Sequence, residues 1–150
     1  MRKVLLLIST IAFLTVVCNQ SALFAQDSTA MNSAIGVWLT SGGTSKIEIY
    51  REGEEFCGKI VWLKEPDKDG KPKEDENNPD VKLRSRPLLG LTIMRGFTFD
   101  GDDVWKGGKI YDPKSGNDYS AKMTLVDEHT LDLRGYVLMP LFGRTETWTR

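Results

Sequence analysis

From Trp105 to Leu125 the chain alternates, turns and alternates again, a pattern that antiparallel β-structure satisfies and helices do not. Tyr119, Ala121, Met123 and Leu125 are separated by Ser120, Lys122 and Thr124, the period-two pattern of a strand with one buried and one wet face. Just before them stands Asp112-Pro113-Lys114-Ser115-Gly116-Asn117. It joins an Asp able to bond its own backbone, a Pro with φ preset for a turn and a Gly open to positive φ, and so predicts a chain reversal. Upstream, Ile110 and Tyr111 lead back through Gly107 and Gly108 to Trp105, where paired glycines inside a strand predict a bend or a close backbone approach. The stretch therefore predicts a β-hairpin.

The same grammar runs through the rest of the chain. Lys46 to Tyr50 sets Ile47 and Ile49 on one face. Phe56 to Leu63 sets Phe56, Ile60 and Trp62 on one face and Val61 and Leu63 on the other. Further strands are predicted at Leu88 to Met94, Phe97 to Phe99, Val104 to Tyr111, Thr130 to Val137 (Leu131, Leu133, Gly135 and Val137 facing one way) and Arg144 to Arg150. Turns fall at Ser41-Gly42-Gly43, Gly53, Asp100 to Asp103, Asp127 to His129 and Pro140. No stretch sustains a helical period. About eight short strands at this spacing predict an all-β sandwich or barrel, and the short connections favour a single antiparallel up-and-down barrel. Closure removes exposed edges and leaves an interior that is filled or holds one small ligand. One interruption is long. Lys64 to Arg86 carries seven Asp and Glu among its lysines, with Pro66, Pro72 and Pro79; it predicts a charged surface excursion.

At the start, Met1-Arg2-Lys3 is basic, Val4 to Val17 is apolar, and small residues follow to Ala25, the layout of a secretory signal peptide. The apolar run is shorter than the roughly 20 residues of a membrane span. The expected organisation is a signal peptide over 1–25, a flexible leader over 26–33 and one barrel domain over 34–150, with the mature chain exported to the periplasm or secreted and lacking a membrane span. Removing Arg2 and Lys3 from the 20 basic residues leaves 18 against 21 acidic ones, a net charge of −3. No basic stripe predicts nucleic acid binding. Cys57 is then the one cysteine, which excludes an internal disulfide, and a small buried apolar role suits it better than a reactive thiol.

Gly36-Val37-Trp38 resembles the Gly-x-Trp signature that opens the first barrel strand of lipocalins and related calycins; there an Arg or Lys near the end of the last strand covers the Trp, a role open to Arg150 or Arg144. Trp148 completes the expected closure set with Gly36, Trp38 and Arg150. A wider resemblance rests on Gly58-Lys59-Ile60-Val61, Asn78-Pro79, Leu83 to Gly90, Trp105 to Pro113, Gly116, Tyr119-Ser120, Leu133 to Tyr136 and Gly143 to Arg150. In that order these motifs resemble the exported bacterial family called domain of unknown function 2147. The resemblance implies a calycin-like barrel outside the cytoplasm and carries over no catalytic residue.

Chemistry is harder to find. His129, the single histidine, lies in an acidic turn without partners for a metal site or a Ser/His/Asp arrangement. Asp67-Lys68-Asp69-Gly70 fails the calcium-loop pattern at Lys71, Pro72 and Asn78. Asp112 and Glu146 make a carboxylate pair whose separation sequence cannot supply. The ligand-binding candidates are Arg84, Arg86, Tyr111, Arg134 and Arg144, because guanidinium forks suit carboxylate or phosphate. The competing role for these arginines is pairing with protein carboxylates, for which Asp112 and Glu146 are the candidates. The expectation is a non-enzymatic binding protein for a small apolar or amphipathic ligand, needing no cofactor and no metal. Its rival is a filled barrel that meets an envelope protein through the loop Lys64 to Arg86.

Overall fold

The computed structural model describes residues 29–150. The expected signal peptide, its cleavage after Ala25 and Cys18 lie outside the described residues. Residues 29–32 form one helical turn, and Ser33–Arg150 form one compact unit. The strands are β1 (Gly36–Leu39), β2 (Ser45–Glu52), β3 (Glu55–Leu63), β4 (Asp67–Lys68), β5 (Lys71–Pro72), β6 (Thr92–Phe99), β7 (Val104–Asp112), β8 (Asn117–Asp127), β9 (Thr130–Tyr136) and β10 (Arg144–Thr149). Eight of them close into an antiparallel barrel in the order β1-β10-β9-β8-β7-β6-β3-β2, and β4 and β5 make a separate hairpin. Each barrel strand thus pairs with its neighbour in sequence, as short connections demand. Among the described residues no helix is long and apolar enough to cross a membrane.

The predicted hairpin is β7–β8. Its turn is closed by Gly116 N–H donating to Asp112 O at 2.8 Å, with Gly116 at φ 72°. The double glycine is a bulge, since the register shifts between Trp105 and Gly108. A side chain at Gly108 would overlap the ring of Phe97, so the missing Cβ is the space that Phe97 fills.

The seam brings the two ends of the unit together. Leu39 lies opposite Thr149, and the Arg150 guanidinium stacks over the Trp38 ring, 4.2 Å from its centroid. Arg150 also donates to Glu128 O (2.6 Å), Ile35 O (3.0 Å) and Ser33 O (3.1 Å), and the Trp38 indole donates to Ala34 O at 2.9 Å. Arg150 is therefore the residue over Trp38. Arg144, the other candidate, sits opposite Gly135 at the far end of β10.

Three strand predictions needed correction. Trp62 does not share the face of Phe56 and Ile60. The β2–β3 register slips so that Ile47 opposes Ile60 while Lys46 opposes Trp62, and the extra residue turns Trp62 outward, 40% exposed beneath the Lys46 ammonium. A one-residue slip flips every later side chain. The two stretches Leu88 to Met94 and Phe97 to Phe99 are one strand, β6, entered by a turn in which Leu91 N–H donates to Leu88 O at 3.1 Å. Finally, β9 stops at Tyr136, and Val137 is 60% exposed.

Candidate binding site

Inward positions in most of the barrel are taken by large side chains. Trp38, Trp105, Trp148, Phe56, Phe97, Met94, Met123 and Leu131 are all fully buried, and Phe56 and Phe99 pack against Trp105 at centroid distances of 6.1 and 5.1 Å. The indole N–H groups of Trp105 and Trp148 are buried without an acceptor.

The inner wall changes character toward the end bearing the β1–β2, β3–β6, β7–β8 and β9–β10 connections. Glu146 opposes the buried Leu133, and Arg144 opposes Gly135, so both share the inner face with Trp148. Ile110 and Tyr119 oppose each other across β7–β8, and a side chain at Gly135 would lie 3.9 Å from Ile110 and 3.8 Å from Tyr119. Ile110, Tyr119, Gly135 and Glu146 are half-buried and Arg144 is exposed. This end therefore combines apolar wall, phenol, guanidinium and carboxylate within reach of solvent. Of this wall the sequence predicts Arg144 as a binding residue but not Ile110 or Glu146, although the period-two pattern of β10 sets Glu146 on the face of Arg144 and Trp148.

Arg84, Arg86 and Tyr111 come together elsewhere, on the outside of the wall. Tyr111 opposes Asp118 on the face opposite to Ile110 and Tyr119, where the long loop covers it. At its centre is Asp75, fully buried. Oδ1 of Asp75 accepts from the Tyr111 hydroxyl at 2.6 Å. Oδ2 accepts from Arg86 Nε (2.9 Å) and Asn78 Nδ2 (2.7 Å), and Arg86 Nη2 stands in ion-pair contact with it at 2.8 Å. Three hydrogen bonds and a guanidinium in ion-pair contact satisfy both oxygens, which is the condition for burying a carboxylate at tolerable cost. Arg84 Nε donates to Asn78 O at 2.7 Å, and Asn77 Nδ2 donates to Lys114 O at 3.0 Å on the hairpin turn. Burial, then the hydrogen bond from Tyr111 to Asp75, pushes the Tyr111 phenol above its ordinary value. The partner of Arg86 is thus Asp75, not Asp112 or Glu146. Asp112 is engaged within its own turn, accepting from Lys114 N–H at 3.0 Å and Ser115 Oγ at 2.8 Å.

Arg134 is apart from both groups. It donates to Pro140 O (2.7 Å), Thr145 Oγ1 (2.8 Å) and Leu141 O (3.4 Å), and so fixes the β9–β10 loop. Asp69 and Gly70 both take positive φ, 54° and 74°, which makes Asp67-Lys68-Asp69-Gly70 the entrance to a tight hairpin turn. His129 is exposed in its turn, its N–H donating to Asp127 Oδ1 at 2.8 Å. Cys57 is buried, and burial pushes its thiol up from the usual range.

No curated protein matches the chain. Among solved structures the barrel is similar to one described as "Protein HP1028 from the human pathogen Helicobacter pylori belongs to the lipocalin family". The TM-score is 0.68 and the identity 25%, over 77% of this chain and 81% of the other. Residues 36–150 match the family described as "Uncharacterized protein conserved in bacteria (DUF2147)". Because that match runs from the first barrel strand through the last, the chain belongs to this bacterial family, and its closed eight-stranded barrel is lipocalin-like.

Proposed function

We propose that the protein is an exported, non-enzymatic binding protein that takes a small amphipathic ligand at the loop-bearing end of its barrel. The observation that carries this reading is the half-exposed inner wall of Ile110, Tyr119 and Gly135 with Arg144 and Glu146 beside it. Large side chains fill the deeper interior, so a ligand seats shallowly, its apolar part against Ile110 and Tyr119 and its polar head at Arg144. A hydrogen bond to a charged group contributes about 1.5–3 kcal/mol, so Arg144→Ala should weaken binding roughly ten- to hundredfold. Displacement of a dansylated fatty acid by unlabelled fatty acids tests this on wild type, Arg144→Ala and Arg86→Ala, with thermal melts alongside. Weakened binding at unchanged stability is expected for Arg144→Ala. Lowered stability is expected for Arg86→Ala, because its guanidinium neutralises buried Asp75.

A second reading has the barrel act as an interaction module through its long loop. The aromatic filling of the interior favours it, as does the anchoring of the loop through Asp75, which presents Val81 and Leu89 on a fixed surface. A wild type that takes up no fatty-acid probe would overturn the ligand reading and leave this one.

A further inference from the structure

The β9–β10 loop has an unusual composition for a surface connection. In Val137-Leu138-Met139-Pro140-Leu141-Phe142 the five large apolar side chains are 60, 94, 50, 76 and 72% exposed in order. A patch of this kind marks an interaction site on a soluble protein. The loop is also rigidly held. Arg134 bonds the carbonyls of Pro140 and Leu141, Pro140–Phe142 form a turn of 3-10 helix, and Gly143 packs so closely that a Cβ there would stand 2.7 Å from Gly135 O. Leu138, the most exposed of the five, sits at φ 68°. That left-handed conformation is unfavourable for a residue without a short polar side chain, and no packing compensates a side chain left in solvent. Strain held at such a point is a mark of function.

The surrounding charge names the partner. Lys122 lies directly opposite Arg134 across β8–β9, a like-charge pairing that disfavours the sheet, and Arg144 opens the next strand. Tyr136 stands at the base of the loop. Lys122, Arg134 and Arg144 outnumber Glu146 at the foot of the loop. An apolar tip above this net positive base, with Tyr136 between, fits the boundary of an anionic lipid bilayer, where apolar side chains enter the acyl region and basic groups meet phosphates. A second copy fits worse, since a two-fold pairing of loops would set this base against itself. We infer that the Val137–Phe142 loop is an interfacial anchor that docks the barrel by its β9–β10 corner on an anionic lipid surface. This holds whether or not the barrel carries a ligand.

The test uses the full chain carrying Phe142→Trp, mixed with vesicles of phosphatidylglycerol and phosphatidylethanolamine bearing brominated acyl chains. The added tryptophan should shift to the blue and be quenched. Val126→Trp, at the opposite end of the barrel and 58% exposed, should do neither, which separates docking by this loop from attachment by any other segment. Adding Leu138→Asp and Leu141→Asp to Phe142→Trp should abolish the quenching with the thermal melt preserved. Lys122→Ala should weaken partitioning roughly fivefold, and vesicles of phosphatidylcholine alone should be bound weakly. Quenching equal in Phe142→Trp and Val126→Trp, or absent from both, would overturn the inference. So would a lipid-free blue shift that grows with protein concentration, because the loop would then be meeting a second copy.

Discussion

The Tyr111 hydroxyl donates to Asp75 at 2.6 Å across 36 residues of sequence, and this contact fastens the long charged loop to the outside of the barrel wall. Replacing Tyr111 by Phe removes the only donor to Oδ1 among the described bonds and should cost about 1–3 kcal/mol, the desolvation penalty of an orphaned acceptor. The pH dependence has a definite sign. The folded phenol titrates above its unfolded value near 10, so the unfolded chain loses this proton first and stability falls as pH rises past about 10. Urea melts between pH 8 and 11 should show a steeper loss for wild type than for Tyr111→Phe; parallel curves would refute the assignment.

Gly116 should be far less replaceable than Gly70. Both have positive φ, 72° and 74°, so an alanine at either meets backbone strain of about 1–2 kcal/mol. At Gly70 nothing lies within 4 Å, whereas at Gly116 the new methyl would overlap the backbone oxygen of Asn77. Gly116→Ala should therefore also lift the loop off the hairpin, seen as faster amide exchange over residues 73–91. Gly70→Ala should lose the smaller increment and leave that exchange unchanged.

The seam makes a graded prediction. Trp38 is wholly buried, and Trp38→Ala should cost about 3–5 kcal/mol. Arg150→Ala removes a cation over the indole face, worth about 0.5–2 kcal/mol, together with three bonds to carbonyls of Ser33, Ile35 and Glu128. Arg144→Ala should leave the melt nearly unchanged. Denaturant titrations that ranked Arg144→Ala above Arg150→Ala would place the closure elsewhere.

Cys57 should be inert while the protein is folded. It is buried, and its thiol is pushed up by burial first and further by Glu52 and Glu55, so little thiolate is available at neutral pH. In a chain with Cys18 replaced by serine, a disulfide reagent should label Cys57 only at the rate of unfolding. Fast labelling in buffer alone would show an open site.

Much of the architecture was legible because it is local. Alternation places Ala121 and Met123, or Leu131 and Leu133, on one face through the geometry of the strand itself, and the Asp112–Asn117 turn is written in the torsional preferences of its own residues. The Gly-x-Trp start likewise announced a seam that Arg150 completes. Such local preferences are enough to specify most strands, most turns and the order in which the barrel strands pair. Tertiary structure decided what depends on distant groups. Trp62 faces out because β2 and β3 slip by one residue, which neither strand encodes alone. Asp75 reads as one more acid in a solvated loop, yet hydrogen bonds from Asn78, Arg86 and Tyr111 and the charge of Arg86 converge on it and allow its burial. Arg144 and Glu146 share one inner wall with Ile110 and Tyr119 because the registers of β7 to β10 set them there, Arg144 opposite Gly135 and Gly135 beside Tyr119 and Ile110, while the curl of the barrel turns that face inward.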